Sequence, residues 1–212
     1  MKNWSESLAP LLQVYKGKPH PLLFKNTYQL LVSVILSAQD SDKHINEITP
    51  RLFEAFPNLQ SLAKANGEDL YPFISKVRNF GNKTKWLLSL SQSLKKDSNI
   101  PLTMKELTEL PGIGRKSANV ILRGAGKKAE GVIVDLHVLR VAPRLGIASG
   151  TDPKKIENQI MEVIPSEDWG EIGMAMSFLG REICRPTSPK CPECMVSNAC
   201  TYYLTLKSKS ST

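Results

Sequence analysis

Apolar residues return at helical intervals along most of this chain, and strand-forming runs are almost missing. Tyr28, Leu31, Val34, Ile35 and Ala38 fall on one helical face. Ile45, Ile48, Leu52 and Phe56 make a second stripe. Leu87, Leu88, Leu90, Ser91 and Leu94 belong to a third, after an expected turn at Phe80, Gly81 and Asn82. Thr103 followed by Glu106 reads as a capping box, and Asp152 before Pro153 as an N-cap with proline in the first helical position. Ser166, Glu167 and Asp168 open a further helix that runs toward Cys184. The one β-like run, residues 131–134, spans Gly131, Val132, Ile133 and Val134 and ends in an expected cap. The expectation is an all-α fold of about ten helices joined by short polar turns, without internal repeats. Residues 207–212 are expected to form a disordered tail.

The 212 residues suffice for one large domain or two small ones. No apolar run approaches the roughly 18 residues of a membrane span, and residues 1–20 lack a signal-peptide core. The expected location is therefore cytoplasmic, with no membrane partner. Lys and Arg number 28 against 20 Asp and Glu, a net charge of +8. That excess favours polyanions, chiefly nucleic acid, although it also serves solubility alone.

All four cysteines crowd into one stretch, spaced Cys184-x6-Cys191-x2-Cys194-x5-Cys200. In a cytosolic chain this reads as a metal site rather than a disulfide framework. Four thiolates on a short loop can enclose zinc or a [4Fe–4S] cluster, and softness alone does not separate the two.

The most informative segment runs Leu110, Pro111, Gly112, Ile113, Gly114, Arg115, Lys116, Ser117, Ala118, Asn119. A helix ends near Glu109, a tight Pro-Gly-x-Gly turn follows, and an apolar helix resumes through Val120, Ile121 and Leu122. The glycines permit unusual dihedrals and close approach of another backbone. Their N–H groups stand at the start of a helix, where the dipole favours an anion. Such a helix-hairpin-helix, at about residues 105–123, grips a DNA phosphate without reading sequence. A plain helix–turn–helix connection has the same outline; the adjacent cations Arg115 and Lys116 favour the DNA reading.

This segment, then Val134, Asp135, Leu136, His137, Val138, Leu139 and Arg140, then the four cysteines, resembles the endonuclease III branch of the helix-hairpin-helix DNA glycosylases. The resemblance runs from about Leu30 to Cys200. It implies two helical lobes around a central cleft: residues 20–130 carrying the hairpin, and residues 1–19 with 131–206 carrying a cluster loop. It implies a monomeric base-excision-repair enzyme, nucleoid-associated if bacterial, acting on double-stranded DNA that holds damaged bases or abasic sites. Such an enzyme removes the base and nicks the abasic site by β-elimination, with oxidised pyrimidines as the expected lesions. Its attacking group is an amine, which the resemblance places at Lys116. Asp135 matches the catalytic aspartate, a role compatible with capping the helix that starts at Leu136. Lys116 and Asp135 are expected to face each other across the cleft. His137 and Arg140 are expected to support them from behind.

The cysteine spacing matches the family's [4Fe–4S] loop, and Arg185 and Lys190 fall in the interval that meets the DNA backbone near it. Pro111, Gly112, Ile113, Gly114 and Arg115 are the matching hairpin contacts. Gln39, within Leu36, Ser37, Ala38 and Gln39, matches a residue that fills the gap left by a flipped nucleotide, with Asp42 fixing its loop. Two positions depart from the pattern. Leu136 stands where threonine is usual, and Asn79 where an apolar wedge is common, with Phe80 beside it as the other candidate wedge. These changes leave the reaction class intact and put the substrate range in question. A relative with shifted lesion specificity or chiefly abasic-site activity is the alternative enzyme. A non-catalytic iron–sulfur DNA-binding module is the alternative of another class, and retention of Lys116 and Asp135 speaks against it.

Overall fold

The computed structural model describes residues 2–210. Among them are twelve α-helices and four short 3-10 turns, and no strand is present. The chain divides into two compact units, Pro19–Lys127 and Met1–Lys18 with Lys128–Thr212.

In the Pro19–Lys127 unit the order is α1 (Thr27–Ser37), α2 (Asp42–Ala55), α3 (Leu59–Leu62), α4 (Gly67–Ile74), α5 (Phe80–Leu94), α6 (Met104–Glu109) and α7 (Arg115–Gly124). α1 is the axis. Residues 30 to 36 are buried all round, as expected of a helix apolar on every face, and α1 packs against α2, α5 and α7. Its start is fixed by Asn26, whose side chain accepts the Gln29 N–H at 2.9 Å. Each fully buried Leu or Ile of α1 contributes about 1.5–3 kcal/mol through lost water contact. Thr103 caps α6 as expected, accepting the Glu106 N–H at 3.3 Å and donating its hydroxyl to the Glu106 carboxylate at 2.6 Å. The expected turn at residues 80–82 lies earlier. α5 already includes Phe80, and the chain turns at Arg78 and Asn79, where Asn79 takes φ 59°. Gly81 lies inside the first helical turn with no positive φ, and a Cβ there would meet nothing within 4 Å, so neither the backbone nor the packing requires glycine at this position.

The second unit holds α8 (Trp4–Tyr15), α9 (Leu136–Leu145), α10 (Pro153–Val163), α11 (Trp169–Glu182) and α12 (Thr201–Ser210). α10 begins as expected, with Asp152 accepting the Lys155 N–H at 2.7 Å and Pro153 following. α11 packs against α8 and α9. Residues 131–134 are buried but pair with no strand. They lie instead on α11, where a Cβ at Gly173 would stand 2.4 Å from the Ile133 carbonyl oxygen. Only glycine allows that approach.

The expected tail at 207–212 is corrected in part. α12 continues to Ser210, with Lys207 and Lys209 in the last turn, where cations suit the negative end of the helix. Lys207 Nζ also lies 4.8 Å from the Tyr203 ring centre. Residues 211 and 212 lie outside the described residues. No helix among the described residues is long and apolar enough to cross a membrane.

Candidate functional site

The hairpin joins α6 to α7 through residues 110–114. Leu107 and Ile113 are buried and anchor it, and the Ile113 N–H reaches back to the Leu110 carbonyl at 3.2 Å. Gly112 takes φ +81°, and a Cβ there would stand 2.6 Å from Trp86 Cε3. Position 112 therefore requires glycine twice over, for its left-handed backbone and for the indole beneath it. Gly114 differs. Its φ of −94° suits any residue, and a Cβ there would meet nothing within 4 Å. What it offers is bare backbone at the N-cap of α7, with no side-chain cap on the first-turn N–H groups. Those donors and the helix dipole suit a phosphate oxygen. Ala118, Val120, Ile121 and Leu122 bury the inner face of α7, while Lys116 is exposed in its first turn and Arg115 and Pro111 are half-buried.

Asp135 caps α9. Its Oδ1 accepts the N–H groups of His137 and Val138, both at 2.9 Å. Its Oδ2 accepts the Ser177 hydroxyl at 2.6 Å, and Arg181 Nη2 lies 4.0 Å away. The carboxylate is thus held at both oxygens, with its partners drawn from the start of α9 and from α11. Ser177 and Arg181 were not anticipated. The available signal was a serine amid Met174, Ala175, Met176, Phe178 and Leu179, where a fully buried hydroxyl must find an acceptor. Arg140 ties the same region together: Nε donates to the Cys184 carbonyl at 3.1 Å, and Nη2 to the Gly180 carbonyl at 2.9 Å and to His137 Nδ1 at 3.3 Å. Leu136, beside Asp135, is 79% exposed.

Gln39 is exposed at φ 60°, between α1 and α2. Asn79 is exposed too, whereas Phe80 is half-buried with its ring edge-on to Tyr71 at 5.6 Å. Of these two adjacent residues, Asn79 is thus the one at the tip. Lys83, which the sequence analysis did not single out, is fully buried. Its place on the Lys83, Leu87, Leu90 stripe was the missed signal.

The four cysteines line one cavity, together with Val141, Leu145, Leu179 and Tyr202. Burial and the neighbouring thiols push the Cys191 and Cys194 thiols up, the repulsion that a cationic iron core would offset. No three His, Cys, Asp or Glu side chains among the described residues form a group that could hold a single metal ion. Four thiolates around one cavity are a donor set that fits a thiolate-bound metal centre. Arg144 braces the loop, donating from Nη1 to Cys184 Sγ at 3.5 Å and to the Arg185 carbonyl at 2.7 Å, and from Nη2 to the Pro186 carbonyl at 3.0 Å. The Lys190 N–H closes the loop on the Ile183 carbonyl at 3.0 Å, leaving the Arg185 and Lys190 side chains exposed. Lys190 shares its charge with Glu193 at 3.4 Å.

The chain belongs to the HhH-GPD superfamily of base excision DNA repair proteins, whose model matches residues 32–166. It is 36% identical to endonuclease III of Synechocystis sp. over 92% of this chain and 90% of that relative. It is 35% identical to endonuclease III of Thermotoga maritima over 90% of each chain. Among solved structures, a trapped endonuclease III–DNA covalent intermediate superposes with a TM-score of 0.86 at 30% identity, covering 98% of this chain and 99% of that one. A thermostable thymine-DNA glycosylase, 19% identical with a TM-score of 0.81, shares the fold.

Proposed function

We propose that this base-excision-repair DNA glycosylase and abasic-site lyase acts on oxidised pyrimidines in double-stranded DNA, with Lys116 as nucleophile and Asp135 as its anionic partner. The observation that carries the reading is an exposed lysine in the first turn of α7, directly behind a glycine hairpin built for a phosphate. The hairpin, through residues 111–115, holds the backbone beside a nucleotide turned out of the stack. The Lys116 nitrogen attacks the sugar C1′, and the C1′–N bond breaks with its electron pair leaving on the base, which takes up the proton that the attacking nitrogen loses. Asp135 stabilises the positive charge that develops on the sugar. The ring opens to a Schiff base on Lys116. Loss of a C2′ proton then expels the 3′ phosphate, and water releases the lysine. Gln39 occupies the space of the extruded nucleotide.

Cys184, Cys191, Cys194 and Cys200 would hold a [4Fe–4S] cluster, which supplies a rigid, positively charged core rather than a reacting group. The loop it shapes offers Arg185 and Lys190 to the DNA backbone. Purified protein should carry near-stoichiometric iron and sulfide with broad visible absorption; stoichiometric zinc instead would overturn this assignment. The chain would act in the cytoplasm, on nucleoid DNA.

The exposed leucine at position 136 and the polar tip at Asn79 favour one second reading, a shifted lesion range on the same reaction. Duplexes containing thymine glycol, an abasic site or only normal bases separate the possibilities. Nicking of the first two supports the proposal. Nicking of the abasic duplex alone supports the shifted range, and tight binding without nicking refutes both.

A further inference from the structure

Two exposed residues of the Pro19–Lys127 unit, Gln39 and Asn79, are non-glycines held in the left-handed region, at φ 60° and φ 59°. Such backbone costs free energy and persists only when its surroundings hold it. The holders are two charged side chains that the mechanism does not use. Asp40 follows Gln39. Its Oδ2 accepts the N–H of Arg78, the residue before Asn79, at 3.1 Å. Its Oδ1 accepts the Ser41 N–H and His44 Nδ1, each at 2.8 Å. Lys83, one turn into the helix that Asn79 opens, is fully buried and donates to the Leu36 carbonyl at 2.7 Å and the Ala38 carbonyl at 2.6 Å. The connections close a ring. One side runs Leu36, Ala38, Gln39, Asp40; the other runs Arg78, Asn79, Lys83; Asp40 and Lys83 are the two bridges between them.

The negative charge of Asp40 runs against DNA binding. A carboxylate beside residues meant to enter DNA repels the phosphates, so its presence opposes affinity. Its charge is answered locally by His44, Lys83 and the backbone donors. Burial works to raise the Asp40 carboxyl, but the hydrogen bonds from His44, Arg78 and Ser41 together hold it below the usual carboxylate range. Burial lowers the Lys83 ammonium, and Asp40 partly restores it.

We propose that Asp40 and Lys83 are positioning residues that brace Gln39 and Asn79 as one unit, so that both enter the gap in a damaged duplex together. The inference rests on the reading that Gln39 fills the place of an extruded nucleotide. Its consequence is specific. The brace matters where there is a gap to fill, and not for binding intact duplex through the hairpin.

The test is the affinity of the full-length protein for a duplex with one tetrahydrofuran abasic analogue, divided by its affinity for the matching intact duplex. With Asp40→Ala this ratio should fall about tenfold, the size expected from losing charge-assisted hydrogen bonds, while affinity for intact duplex stays within about twofold. Asp40→Asn keeps an acceptor for Arg78 and should recover most of the ratio. If the alanine variant folds poorly, Asp40→Ser, whose hydroxyl is too short to reach the Arg78 N–H, takes its place and should lower the ratio likewise. Fluorescence of 2-aminopurine placed opposite the analogue should drop in parallel, since it reports unstacking at the gap. A ratio unchanged in Asp40→Ala would overturn the brace alone. Equal losses on both duplexes, or no difference between alanine and asparagine, would also overturn it, as a purely structural role predicts. A parent protein without preference for the analogue would overturn the proposed function and the brace with it.

Discussion

Replacing Gly112 and Gly114 by alanine, one at a time, should separate stability from DNA binding within a single turn. At Gly112 the backbone is left-handed at φ +81°, which costs an alanine roughly 1–2 kcal/mol. The new Cβ would also press on Trp86 Cε3 at 2.6 Å, and the indole must shift, at about 1–3 kcal/mol for overpacking. The reduced freedom of the unfolded chain returns roughly 0.4–1 kcal/mol. The net loss is about 2–4 kcal/mol, or a drop in Tm of roughly 5–12 °C for a chain of this length. At Gly114 the φ of −94° is open to alanine and nothing lies within 4 Å, so the Tm should move little. There the cost appears in binding. The added methyl stands where a phosphate must approach the bare N-cap, and affinity for an abasic-analogue duplex should fall roughly tenfold. Thermal unfolding and fluorescence anisotropy on the two variants measure both effects. Parent-like binding by Gly114→Ala, or a parent-like Tm for Gly112→Ala, would refute the reading of the hairpin.

Lys83→Met strips the Leu36 and Ala38 carbonyls of their donor and should cost about 1–3 kcal/mol in urea unfolding, despite removing a buried charge; equal or greater stability would contradict it. Ser177→Ala removes the 2.6 Å donor to Asp135 and should lower kcat roughly three- to tenfold with KM little changed; a KM effect alone would place Ser177 in binding instead. Asp40 sits below the usual carboxylate range, and Glu182 does too, held down by the Lys18 ammonium and the Tyr15 hydroxyl. A depressed carboxyl stabilises the fold above its unfolded pKa and loses that contribution as pH falls through its folded value, so stability should decline below about pH 4. An unchanged acid limb in Asp40→Asn/Glu182→Gln would show that these groups carry none of it.

The helical class was legible because the 3.6-residue recurrence of Leu, Ile and Val survives in nearly every element, and local caps such as Asp152 with Pro153 announce themselves in adjacent residues. The hairpin, Asp135 and the cysteine stretch were legible for the same reason, since each is a short contiguous pattern. What stayed hidden is non-local. Ser177 reaches Asp135 from 42 residues away, and Lys83 buries its ammonium on carbonyls 45 and 47 residues back. No local pattern fixes such pairings. The boundary near Phe80 was misplaced because glycine at 81 looks like a turn, whereas the left-handed residue is Asn79. The end of α12 was misread because lysines and serines resemble a solvated tail until the helix dipole and the Tyr203 ring are included.

Borohydride reduction of the protein on an abasic duplex, followed by proteolysis and mass spectrometry of the adduct, identifies the attacking amine. A sugar remnant should be joined to the Nζ of Lys116, and Lys116→Ala should give no trapped species. A remnant on any other amine, or trapping by Lys116→Ala as efficient as by the parent, would contradict that role for Lys116.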